Sequence, residues 1–165
     1  MEFRKIQSED YNNCAKNLVS AYKGPPWYND WSEKEALLRI EATMSGFNSR
    51  GYVIEENHKI IAMCIGRIDY YFSDMSQFCI DEFHVVPEFQ NNGIGKNLMN
   101  SVSNSLKLSG IYKIFLITGG EPADKILYKK WIYKNKRRNH DGTRIMIKKT
   151  GTIRIKINDI NYVRQ

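Results

Sequence analysis

Apolar positions follow two rhythms along this chain, and the change from one to the other marks its central unit. Residues 77 to 86, QFCIDEFHVV, concentrate Phe78, Ile80, Phe83, Val85 and Val86, the aromatic and β-branched enrichment of a buried strand. Pro87 lacks an amide donor and fixes φ, so the strand should stop at Val86 and a short loop, Glu88 to Asn92, should open. From Gly93 to about Ser109 the spacing lengthens: Ile94, Leu98, Val102 and Leu106 recur every four residues, one face of a helix. Upstream, Glu2 to Gln7 alternates through Phe3 and Ile6. Ser8 is placed to cap a helix from Glu9 to Tyr22, with Tyr11, Ala15, Leu18 and Tyr22 on its apolar face. Lys23 to Trp31 is a linker stiffened by Pro25 and Pro26. Ser32 and Glu35 form a capping-box pattern for a helix from Glu33 to about Ser45, ended by Gly46. Gly51 to Glu56 and Lys59 to Phe72 read as strands joined at Asn57-His58, and Ile111 to Thr118 as another. A helix is expected from Ala123 to about Lys134. Thr143 to Lys149 and Thr152 to Asn158 alternate as closing strands.

The strand, glycine loop and helix of residues 77 to 109 form a junction whose backbone amides, beside the positive end of a helix dipole, suit phosphate oxygens. A dinucleotide fingerprint would need glycine where Leu98 stands and an acid in Lys113 to Thr118; a Walker loop would need glycine at Gln90 and Ser or Thr at Asn97. Neither pattern is met. Gln90-Asn91-Asn92-Gly93-Ile94-Gly95 does fit Q/R-x-x-G-x-G/A, and the strand before it ends in Val85-Val86-Pro87-Glu88. In this the chain resembles the GCN5-related N-acetyltransferase (GNAT) family, whose acetyl-CoA signature follows the fourth strand. The order of elements agrees with that family's fold. The resemblance implies an α/β architecture: a twisted mixed sheet with splayed fourth and fifth strands, flanked by helices, over residues 1–150. Residues 151–165 lie beyond the usual closing strand and are expected to add a strand, here or across a homodimer.

The resemblance further implies an enzyme that moves the acetyl group of acetyl-CoA to a primary amine by direct attack, with acetyl-CoA as donor and no metal. The main chain at Val85 and Val86 would lie beside the pantetheine arm, with one amide on the acetyl oxygen. The amides of Gln90, Asn91, Asn92, Gly93, Ile94, Gly95 and Lys96 would cradle the pyrophosphate. Leu127-Tyr128-Lys129-Lys130-Trp131-Ile132-Tyr133 keeps the Tyr and Lys of the family's F/L-Y-x-K-x-G-F and ends in an aromatic, with Ile132 in place of glycine, which nominates Tyr128 to protonate the departing thiolate. An amine with a pKa near 10 must also lose a proton, and Asp81 and Glu82 are adjacent on the central strand. Simple alternation sends them to opposite faces. Glu82 is placed ahead of Asp81 as base, with His84 on its face a lesser choice. The first linker and the third strand bound the acceptor in this fold. They supply Trp27, Tyr28, Trp31 and Tyr70, with Tyr71, Phe72, Asp30, Asp69 and Asp74, rings and carboxylates that suit a small cationic amine.

Composition changes the picture in two places. The 165 residues are enough for a single domain with an adequate core. Cys14, Cys64 and Cys79 have neither metal nor disulfide spacing, and with no signal segment or long apolar run the expectation is a cytoplasmic protein with no membrane partner. The net charge of +7 is divided unevenly: residues 125–165 hold 13 Lys and Arg against two acids, and residues 1–124 hold 12 against 16. The acidic part favours a cationic substrate. The basic part, with Lys129 to Arg138 reading KKWIYKNKRR, keeps open a non-catalytic CoA-sensing or nucleic-acid-binding module, though nucleic acid is not the expected partner. The other alternative is a protein lysine or N-terminal acetyltransferase, which would need an open groove.

Overall fold

The first four strands pair antiparallel in chain order, the second and third through a two-residue turn and the first and second across two helices, whereas the fourth and fifth, with one helix between them, run parallel. A computed structural model describes residues 1–25, 27–72 and 75–117, and the backbone of 143–148 and 152–157. Its elements are β1 (Glu2–Lys5), α1 (Tyr11–Lys23), α2 (Glu33–Met44), β2 (Ser49–Glu56), β3 (Lys59–Tyr70), β4 (Ser76–Val85), α3 (Ile94–Leu108), β5 (Lys113–Ile117), β6 (Thr143–Lys148) and β7 (Thr152–Ile157). The sheet order is β1-β2-β3-β4-β5-β7-β6. β7 therefore lies between β5 and β6 of its own chain, antiparallel to both.

Local chemistry explains the boundaries. The Asn57-His58 turn carries φ of 49° and 61°, the left-handed pair that a two-residue hairpin needs. Ser32 Oγ accepts from the Glu35 amide at 3.2 Å while Glu35 accepts from the Ser32 amide at 2.9 Å, so the capping box is made and α2 starts where it should. The first helix starts later than expected. A single 3-10 turn, Ser8–Asp10, precedes it, and Asp10 rather than Ser8 organises it, taking two bonds from Arg4, at 2.7 and 2.9 Å, and one from the Gln7 amide at 2.8 Å.

The sheet has a core on each face. Ile94, Leu98, Val102 and Leu106 of α3 pack with Phe78 and Ile80 on one side; Cys14, Leu18, Ala36 and Ile40 of α1 and α2 pack with Met63 and Ile65 on the other. The four-residue rhythm of α3 is thus fully absorbed by the core, and truncating Leu98, which is wholly buried, would remove about 2–5 kcal/mol. Among the described residues no helix is long and apolar enough to cross a membrane. The β4–β5 ladder is parallel but joins only Phe78, Ile80 and the residue between them to Ile114–Leu116. Among the described residues β4 continues to Val85 beyond its last partner on β5. That divergence opens a cleft in the middle of the sheet.

Candidate active site

β4 breaks its own alternation beside this cleft. Ile65 of β3 pairs with Glu82 and Gly66 with Ile80, so Asp81 is an extra residue, a bulge. Ahead of the bulge Phe78 and Ile80 face α3; beyond it Phe83 and Val85 do. The parity has shifted by one, and Asp81 and Glu82 both project to the α1–α2 face, as their partners there show. This corrects the expectation of opposite faces, because alternation holds only while each residue has one partner across the ladder. Gly66 makes the bulge sterically possible: a Cβ there would lie 2.0 Å from the Cys79 carbonyl oxygen.

Each carboxylate meets an arginine. Arg67 donates to Asp81 and also lies 3.3 Å from Asp69. Arg39 Nε donates to Glu82 Oε1 at 2.8 Å, and the Tyr22 hydroxyl donates to Glu82 Oε2 at 3.0 Å. Burial, reinforced by the charge of Glu82, pushes the Tyr22 phenol well above its ordinary value, so it remains a donor. Its ring meets Trp27 edge-on at 5.5 Å and His84 at 6.2 Å. Trp27, Tyr22 and Glu82 form a continuous series from the linker to the bulge.

His84 is buried, and neither ring nitrogen has a hydrogen-bond partner among the described residues. Desolvation lowers its pKa to about 4, so the folded protein holds it neutral. The unfolded chain, with an ordinary imidazole near 6.5, binds the proton more readily. Stability should therefore be level above about pH 6.5 and fall by about 3 kcal/mol as the pH drops toward 4. His84→Leu removes the proton acceptor and two unpartnered polar atoms. Urea unfolding between pH 4 and 7 should show that variant more stable, by about 1–3 kcal/mol at neutral pH, with the histidine's part of the acid loss gone.

On the cleft side the main chain decides what is available. The Val86 amide donates to the Ile61 carbonyl at 2.9 Å. Residues 61 and 86 are thus a hydrogen-bonded pair, and the next pair, Ala62 with Val85, is of the other kind, its main-chain groups pointing away from β3. The Val85 amide faces the cleft, and its carbonyl accepts Gln90 Nε2 at 2.9 Å. Val86 has its amide already engaged. Beyond, Asn91 and Gly93 adopt φ of 65° and 80° and turn the chain into α3. The Asn97 amide finds its acceptor in the Gly93 carbonyl at 3.0 Å. The amides of Ile94, Gly95 and Lys96 precede it in the first turn, where no intrahelical acceptor exists, and Gly93 has no side chain to cap them. Gly95 packs that turn down: a Cβ there would lie 3.5 Å from Val85 Cγ2. Helix-terminal amides thus follow directly on the end of β4, where its pairing with β5 has ceased.

The profile of the Acetyltransferase (GNAT) family matches residues 16–132. The chain belongs to the GNAT acetyltransferase family. It is accordingly an acetyl-CoA-dependent N-acetyltransferase, and the expected splay of its fourth and fifth strands is the cleft just described. Its fold is similar to that of the PaiA N-acetyltransferase of Thermoplasma acidophilum in complex with coenzyme A, at 16% identity and a TM-score of 0.64 over 95% of this chain and 98% of that one. It is also similar to an alanine N-acetyltransferase of a ribosomal protein from Escherichia coli, at 16% identity and 0.64 over 99% and 98%. An aminoglycoside 6'-N-acetyltransferase from Acinetobacter haemolyticus gives 10% and 0.61 over 79% and 88%. No curated protein matches the sequence.

Not every nominated residue of this GNAT chain gathers at the cleft. Glu82 and Trp27 are linked through Tyr22. Tyr28 and Trp31 line an open depression with Asn29, Asp30 and Glu35. Tyr70 stands apart: it pairs with Ser76 at the far end of β4, nine residues and roughly 30 Å from Val85, and stacks on Phe47 at 6.4 Å. Tyr128 and the helix expected around it lie outside the described residues. Sequence reasoning missed Tyr22, Arg39, Arg67 and Gly66 as parts of the site. Only Gly66 carried a local signal, a glycine inside the strand pattern CIGRID.

Proposed function

We propose that this acetyltransferase acts on the primary amine of a small cationic molecule, with Glu82 as the base. The observation behind it is the depression at Tyr28, Asn29, Asp30, Trp31 and Glu35. Glu35 is committed to Ser32, whereas Asp30 has no partner among the described residues and lines the same depression as Tyr28 and Trp31. A carboxylate and rings lining one depression attract an ammonium group by charge and by cation–π contact. Of the two bulge carboxylates, Glu82 is the one that reaches the linker through Tyr22 and Trp27; Asp81 is turned to Arg67 on β3.

In the proposed reaction the backbone amides of the first α3 turn, Ile94, Gly95 and Lys96, hold the pyrophosphate through their N–H groups, while the Gln90 amide, which donates to the Pro87 carbonyl at 3.1 Å, shapes the bend before them. The Val85 amide is directed at the acetyl oxygen. The amine nitrogen attacks the thioester carbon, its proton passes to Glu82, the C–S bond breaks, and the thiolate takes a proton from Tyr128. Glu82→Gln removes the acceptor of the amine proton while preserving size. It should lower kcat by about a hundredfold and leave acetyl-CoA affinity within a few fold, as steady-state kinetics and calorimetry would show.

The acceptor class is tested by thiol release from acetyl-CoA against polyamines, aminoglycosides, amino acid derivatives and peptides. Turnover confined to peptides would overturn the small-molecule reading. A protein amine as acceptor has its own support in the open form of the depression and the exposure of Tyr28, since such an acceptor needs an open groove.

A further inference from the structure

Glu82 is held at both oxygens by residues from two different helices. Arg39 of α2 donates to Oε1 and Tyr22 of α1 to Oε2, so the carboxylate is fixed in rotation and in charge before any acceptor arrives. Its side chain is only 12% exposed, which limits the water that could otherwise stabilise the anion. A carboxylate that drifted or took up a proton in that setting would be useless to an incoming ammonium group. We propose that Arg39 and Tyr22 are positioning residues for proton removal, keeping Glu82 ionised and aimed toward the acceptor side of the bulge. The assignment rests on the reading of Glu82 as the base.

The surroundings leave few other groups that could do this. On the face around Glu82 the described ionisable side chains include Tyr22 of α1, Arg39 of α2, Arg67 of β3, and Cys79, Asp81 and His84 of β4, the Cys79 thiol being pushed up by burial. Arg67 is turned to Asp81 and Asp69 and has no bond to Glu82. His84 is neutral above about pH 4 and has no hydrogen bond, so it neither holds Glu82 nor titrates near neutral pH. The opposing position on β3 is Ile65, apolar and fully buried. Arg39 is the cation in contact, and Tyr22 reaches the second oxygen. The phenol has the further merit of being a donor at every working pH, since burial and the carboxylate both hold its proton on.

The test is the pH profile of kcat for the whole chain with a saturating amine from the thiol-release screen, in wild type, Arg39→Met, Arg39→Lys, Tyr22→Phe and Glu82→Gln. Removing a neighbouring cation makes a carboxylate harder to ionise, so the acid limb should move up by about one pH unit in Arg39→Met and return most of the way in Arg39→Lys. Tyr22→Phe removes a single hydroxyl and should move the limb in the same direction by a smaller amount. Arg39 is 40% exposed at its side chain, so neither substitution opens the core. If turnover falls in Arg39→Met and Tyr22→Phe but the limb stays at the wild-type pH, the two residues only support the fold and the proposal is wrong. If Arg39→Met does not fold, the limb of Tyr22→Phe decides alone. Failure of the underlying reading looks different: in that case Glu82→Gln itself retains both the wild-type limb and most of the turnover.

Discussion

Gly66→Ala should destabilise the fold by about 3 kcal/mol or more and lower the melting temperature by roughly 6–12 °C. The added Cβ would sit 2.0 Å from the Cys79 carbonyl oxygen and 3.0 Å from the Ile80 Cα, which are backbone atoms on the neighbouring strand. Backbone cannot rotate out of the way as a side chain can, so β3 and β4 must separate where the bulge seats Asp81. Gly24→Ala is the comparison: its Cβ would meet nothing within 4 Å and its φ of −91° suits any residue, so its cost should be clearly smaller. Urea unfolding of both variants measures the difference. Residual folded Gly66→Ala should also lose turnover, since the same displacement moves Glu82 away from Arg39 and Tyr22. A stability within about 0.5 kcal/mol of wild type would mean that the strands do not approach as closely as the bulge requires.

The bulge also shows why some of this molecule could be read from its residues and some could not. α3 announces itself because Ile94, Leu98, Val102 and Leu106 satisfy one period and all four are buried against one sheet face. The glycine loop is legible for a related reason: the positive φ at Gly93 is a local demand of the turn. The face of Glu82 is a different kind of property. Nothing within FCIDEFHV marks Asp81 as extra; the cause is Gly66 on the adjacent strand, 15 positions away in sequence. A contact made across strands has no signature in either strand alone.

The same limit applies to the partners of Glu82. Tyr22 falls on the apolar face of its helix, where its ring helps to close the core, and only the packed structure shows where the hydroxyl ends. Arg39 reads as an ordinary surface cation until α2 is laid over the bulge. Tyr70 errs in the other direction. Its composition suits an acceptor wall, but β3 is 12 residues long, and an aromatic residue at its last position is carried past the site to stack on Phe47. Residue type and spacing therefore placed a glycine loop before α3 and two carboxylates on β4, while register and strand length decided which side chains stand together.

Gly93→Asp should raise the Kd for acetyl-CoA on the order of a thousandfold with the fold intact. Gly93 has φ of 80° and a Cβ there meets nothing within 4 Å, so the new side chain has room, and its position is the N-cap of α3, next to the first-turn amides. Aspartate tolerates the left-handed conformation better than most residues, which limits the backbone strain to about 1–2 kcal/mol. The electrostatic effect is larger. Two like charges roughly 4 Å apart near a protein surface repel by about 4 kcal/mol, and a carboxylate also occupies the positive end of the helix dipole that the pyrophosphate would use. Gly93→Asn separates the two contributions: it carries nearly the same strain and bulk without the charge, and its Kd should rise by no more than about tenfold. Calorimetric titration of acetyl-CoA into each variant reads the result, and a salt series adds a second check, because the Asp penalty should shrink as ionic strength rises while the Asn penalty stays constant. If Asp and Asn weaken binding equally, the loop contributes shape alone. If neither weakens it, the pyrophosphate is held somewhere other than the Gln90 to Lys96 bend.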